Sequence, residues 1–88
     1  MTPPGCTRLD ELPPRLPAEV DRLATPAARP EWLRQLGDLG FEPGEQVQVM
    51  VRGVPGGDPL VVRVAGSTYA LRRAEAACVI VRPLRPRS

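Results

Sequence analysis

From Gln46 the chain alternates. Val47, Val49 and Val51 fall on one side, while Gln46, Gln48, Met50 and Arg52 fall on the other. Period-two alternation marks a half-buried β-strand, so the three valines are expected to face a core. Leu60 to Ala65 repeats the pattern, with Leu60, Val62 and Val64 as its inner face. Gly66-Ser67 predicts a tight turn, and "TYALR" a returning strand. Cys78 to Val81 reads as the last strand, and "AEVDRLA" from Ala18 as a short first one with Val20 facing in.

Between the first strand and the alternation the period changes. Trp32, Leu33, Leu36 and Leu39 recur at helical spacing, which places them on one face of a short helix over about 30–39. Pro30 suits its first position, where a missing N–H is harmless, and Glu31 favours the dipole of the first turn. Gly40 falls where such a helix ends in a left-handed residue, letting Phe41 close back onto Leu36. Glu42-Pro43-Gly44-Glu45 carries Pro and Gly at the centre of a type II turn. Gly37, inside the helix, is unfavourable by about 1 kcal/mol relative to Ala. The expected compensation is close approach of another backbone.

Other segments are shorter. Residues 1–8 read as loose, Leu9 to Leu12 as one helical turn stopped by Pro13-Pro14, and Arg73 to Ala77 as another single turn. "VPGGDP", residues 54–59, is a hairpin tip. The pattern sums to about five short strands, one helix and short helical turns, and nothing repeats internally. The simplest architecture is a mainly β, small closed or partly closed barrel.

Composition narrows the chemistry. The 88 residues suffice for one small domain with a thin core. Only Trp32, Phe41 and Tyr69 are aromatic, so that core must be built mostly of Val and Leu. The net charge of +2 is carried by the end of the chain. Arg82, Arg85 and Arg87 have no acid near them in sequence, whereas the body is mixed and neutral. A nucleic-acid binder ordinarily carries its basic face on the folded part. No stretch is apolar enough to cross a membrane, nothing resembles a signal peptide, and the cytoplasm is the expected compartment.

There is no His, and Cys6 and Cys78 lie far apart without a C-x-x-C spacing. Neither a transition-metal site nor a nucleophile with its base can be assembled from these residues. Cys78 is expected to pack as a small hydrophobe, Cys6 to be exposed, and the two to stay unpaired. Asp38, Glu42 and Glu45 form the only local acidic cluster and read as a solvated turn. Asp58 suits a hairpin tip and Glu75 a first helical turn, while Ser67 lacks partners. Catalytic residues, metal ligands and cofactors are therefore expected to be none. Gly37-Asp38-Leu39-Gly40 has the form of a phosphate-clamping GxxG loop, but Asp38 would repel phosphate and Leu39 belongs to the apolar stripe. Three aromatics cannot furnish a groove for proline-rich peptides. Pro83-Leu84-Arg85-Pro86 is itself a P-x-x-P pattern, read as part of a loose tail.

Taken in order, "LGDLGFEPG" at 36–44, the alternating strand, and "GDPLVVRVAGSTYALRRAEAACVIV" at 57–81 resemble the FeoA family. The resemblance covers roughly residues 9–84, leaving residues 1–8 as a loose start and residues 85–88 as a basic tail outside the pattern. It implies an SH3-like barrel of about five strands with one inserted helix and one short helical turn. It also implies a cytoplasmic, non-enzymatic accessory of bacterial ferrous iron uptake, acting beside the membrane transporter FeoB. No nucleic acid and no membrane insertion are expected, and a weak homodimer is compatible with the pattern. The alternative is a nucleic-acid-associated or metal-repressor-associated SH3-like accessory domain. The expected partner-binding surface is the helix end and turn: Leu39, Gly40, Phe41, Pro43 and Gly44. So thin a core is not expected to bury all of Trp32, Leu33, Leu36, Leu39 and Phe41, and exposed apolar patches mark contact sites.

Overall fold

The computed structural model describes residues 4–24, 30–53 and 58–84. Six strands form one antiparallel sheet: β1 (Thr7–Arg8), β2 (Ala18–Leu23), β3 (Gln46–Arg52), β4 (Leu60–Val64), β5 (Ser67–Leu71) and β6 (Val79–Pro83). Their spatial order is β1-β6-β2-β3-β4-β5. The sheet curls around one core, to which Val20, Val47, Val49, Val62, Val64, Val79 and Val81 contribute fully buried side chains. This is the mainly β barrel that the alternation predicts. Helix α1 (Glu31–Leu39) is inserted between β2 and β3, and the single turn α2 (Arg73–Ala76) between β5 and β6.

Each strand reflects its place. β6 has strands on both sides, and Val79, Ile80 and Val81 are all buried, which accounts for its unbroken apolar run. β4 alternates cleanly: Leu60, Val62 and Val64 are buried, and Arg63 is exposed. The β4–β5 hairpin turns through Ala65-Gly66, one residue earlier than the sequence suggests. Both carry positive φ (51° and 81°), as a type I′ turn requires.

Two departures come from long-range pairing. Residues 1–8 are not uniformly loose, because Thr7 and Arg8 pair with Val81 and Ile80 of β6. Nor do all three valines of β3 face inward. The register against β4 shifts between Val49 and Val51, a bulge that sends every later side chain to the opposite face. Val51 is consequently 54% exposed. Arg52, turned the other way, donates from its guanidinium to the Asp10 and Leu12 carbonyls. That grip holds the 3-10 turn Leu9–Glu11, whose Leu9, with Leu12 after it, is fully buried. Arg8 pairs side-on with Asp10 through two hydrogen bonds of 2.9 and 2.8 Å, which accounts for a buried carboxylate without any chemistry.

Candidate functional site

The stretch from α1 into β3 is built from backbone geometry. Gly40 ends the helix in the left-handed region at φ 111°. Its N–H donates to the Gly37 carbonyl, and the Phe41 N–H donates to that of Leu36, both at 3.0 Å. This is the Schellman closure that the sequence implies. The Glu45 N–H then returns to the Glu42 carbonyl at 3.0 Å across Pro43 and Gly44, with Gly44 at φ 92° as a type II turn demands. Two further bonds of 2.8 Å stitch this turn to β2: Gly44 N–H to the Val20 carbonyl, and Val20 N–H to that of Glu45.

These bonds decide what the glycines do. The amides of Gly40, Phe41, Gly44 and Glu45 already have partners within the chain. A phosphate clamp needs such amides free, so the GxxG likeness is one of spelling. Gly37 has no close neighbour, contrary to expectation: a Cβ built there meets nothing within 4 Å. Gly40 is the crowded one, since its Cβ would lie 3.1 Å from that of Ala65, where the β4–β5 turn leans on the helix end.

The expected docking residues divide. Phe41 is fully buried and Leu36 is 2% exposed, so both side chains belong to the core. Phe41 therefore drops out of the exposed surface, because closing back onto Leu36 carries it inward. Pro43 and Gly44 are exposed, and Leu39 and Gly40 are half-buried. Leu33, on the shoulder of α1, is 39% exposed, and Trp32 is half-buried beside it. The apolar surface left to solvent is thus the flank of α1 together with the turn that follows it. Sequence spacing alone put Leu33 on the inner face; it lies about 60° round the helix from Leu36, on the side away from Trp32 and Leu39, at the margin of the buried stripe.

Two of the acidic candidates, Asp58 and Glu75, are structural. The Arg72 N–H donates to a Glu75 carboxylate oxygen at 2.9 Å, and the Arg73 N–H to Asp58 at 3.1 Å, so both acids cap α2. Arg82 bonds Asp21 at 2.7 Å, and that hydrogen bond strengthens its hold on its proton. Cys6 and Cys78 are not joined in a disulfide; Cys78 is buried as expected, whereas Cys6 is half-buried. Among the described residues, no three acidic, Cys or His side chains are grouped so as to hold a metal ion, and no helix is long and apolar enough to cross a membrane. A shallow groove of about 370 Å³ runs beside the hairpin turn, with Pro17, Gln46, Gln48, Arg63 and Gly66 among its walls. The P-x-x-P pattern and the basic tail extend outside the described residues, as does most of the "VPGGDP" tip.

Comparison with known proteins follows the same outline. Among curated proteins there is no match. Among solved structures, the chain is similar to Stenotrophomonas maltophilia FeoA complexed with zinc, at 39% identity and a TM-score of 0.77, over 85% of this chain and 88% of that one. That protein is described as a prokaryotic SH3 domain protein and suggested as a ferrous iron transport activating factor. FeoA from Chlorobium tepidum is 34% identical with a TM-score of 0.74, over 93% and 74% of the two chains. A manganese-dependent transcriptional repressor shares the fold at 24% identity and a TM-score of 0.77, with 44% of its chain covered. The zinc belongs to the Stenotrophomonas protein. The FeoA domain profile matches residues 7–83, and with it an SH3-like barrel whose inserted helix ends in this glycine-marked turn: the chain is a member of the FeoA family, linked to ferrous iron transport.

Proposed function

We propose that this chain is a non-enzymatic accessory protein of ferrous iron uptake that docks on the cytoplasmic part of the transporter FeoB and modulates it. The observation that carries this reading is family membership across residues 7–83. The arrangement of side chains supports it. Asp58 and Glu75, which looked available for chemistry, are engaged in capping α2, while an apolar flank on α1 faces solvent. Leu33, Leu39, Gly40, Pro43 and Gly44 form the surface we assign to the transporter, with Phe41 supporting it from within.

The test is ferrous uptake at limiting iron in cells lacking this protein. Uptake should fall on deletion and return with the wild-type gene. Leu33→Glu, at an exposed position, should restore folded protein but not uptake. Unchanged uptake on deletion would overturn the proposal. The other reading, an accessory domain of a metal-dependent repressor, rests on a shared fold alone and predicts phosphate-driven binding. Raising salt separates the two: nucleic-acid binding weakens steeply as counterions compete, whereas docking through Leu33 and Leu39 does not.

A further inference from the structure

Among the described residues β5 ends the sheet, with β4 on one side and no strand on the other. Its five residues, Ser67 to Leu71, carry no charge, no proline and no bulge, the devices that ordinarily blunt an edge. The hairpin geometry fixes which backbone groups are free. A two-residue turn closes on a hydrogen-bonded pair, here Val64–Ser67, so the bonded pairs continue at Val62–Tyr69 and Leu60–Leu71. The N–H and C=O groups of Thr68 and Ala70 therefore point away from β4, and among the described residues no other backbone meets them.

The solvent face beside this edge has its own pattern. The β3 bulge places Val51 opposite Val61, and Val61 lies opposite Ala70. These three form an apolar row across the sheet that runs out at the edge, with Val51 54% exposed at its far end. The next row is Gln48, Arg63 and Thr68. Arg63 is exposed, and no ion pair among the described residues includes it. A strand added to β5 would extend both rows. One of its side chains would continue the valine row. Another, two positions along, would lie beyond Thr68, roughly 10 Å or two strand spacings from Arg63. An arginine and a glutamate together span that distance over so short a residue.

We infer that β5 is a docking edge for an extended segment of a protein partner, carrying an aliphatic residue in line with Val51, Val61 and Ala70 and an acidic residue in line with Arg63. A second copy fits poorly, because β5 supplies no acid and pairing two edges would bring two Arg63 side chains to one face. The inference rests on the docking role above only for the partner's identity, since the edge and its charge stand by themselves.

The experiment is amide NMR of the full chain with two blocked peptides, TVTETVT and TVTKTVT, each readable in either strand direction. The glutamate peptide should shift the Thr68 and Ala70 amides and bind at least about tenfold more tightly than the lysine peptide. Arg63→Glu should reverse that preference. Ala70→Pro removes an outward donor without breaking a bond to β4, and should abolish binding while the Val62 and Tyr69 amides stay in place. Arg63→Glu alters only an exposed side chain, so the test stands whatever Ala70→Pro does to folding. Undisturbed Thr68 and Ala70 amides at millimolar peptide, or equal affinity for both peptides, would overturn the inference. So would sedimentation showing a dimer that Ala70→Pro dissolves, which would assign the edge to a second copy. Iron uptake does not enter this readout, so failure here leaves the transport role standing, and the reverse holds too.

Discussion

Two glycines three residues apart should respond to alanine with opposite signs. Gly37 lies within α1, its φ is outside the left-handed region, and an added Cβ meets nothing within 4 Å. Gly37→Ala then removes backbone freedom from the unfolded chain and adds no clash. The expected gain is about 0.5–1 kcal/mol. For a domain of this size 1 kcal/mol moves the midpoint by roughly 4–8 °C, so Tm should rise by about 2–8 °C. Gly40 is the reverse case. At φ 111° an alanine is strained by about 1–2 kcal/mol, before its Cβ meets that of Ala65 at 3.1 Å. Gly40→Ala should therefore lower Tm by at least about 4 °C. Thermal and urea unfolding of both variants is the assay, with an unchanged urea m-value required so that the shifts report stability alone. A Gly37→Ala protein less stable than wild type would refute the geometry, for it would mean that something occupies the space beside that residue. A neutral Gly40→Ala would refute the cap.

The other expectations concern single contacts. Arg52→Ala should destabilise by about 1.5–3 kcal/mol in urea unfolding, since two carbonyls of the N-terminal turn lose a charged donor. Leu36→Ala should be unfavourable by about 2–5 kcal/mol whereas Leu33→Ala should change little, because only the former empties a buried site. Ala65→Asn should raise the urea midpoint, by an amount equivalent to about 0.5–1 kcal/mol, because asparagine accepts the positive φ that alanine resists. Phe41→Asp should unfold the protein outright, so it reports on the core and not on docking.

What the sequence disclosed was whatever is decided locally. The end of α1, the Pro43-Gly44 turn and the inner face of β4 each depend on neighbours a few residues away, and all three were legible. Val51 was misassigned because a bulge is a property of two strands, and nothing in "QVQVMVR" marks the extra residue. β1 was missed for a related reason: two residues make a strand only when β6 supplies the partner. For the residues proposed to dock, only their exposure can be compared with the sequence, and it was legible in part. Leu39, Gly40, Pro43 and Gly44 do reach solvent, but the fate of Phe41 was set by its closure onto Leu36, and Leu33 owes its exposure to its place at the margin of the helical stripe. The β5 edge gave no signal in its own five residues. It becomes visible only once strand order and the β3 register are known.

The pair of bonds joining Val20 to Gly44 and Glu45 closes the barrel wall beneath the excursion that contains α1. Seen from the wall, the helix is an appendage on a sealed seam, answering to the interior through Leu36, with Trp32 and Leu39 packed against the core beside it. Its exposed positions can be rewritten without reopening the seam. On the docking role proposed for α1, a lineage can thus change the partner, one exposed helical residue at a time, while the strands beneath stay as they are.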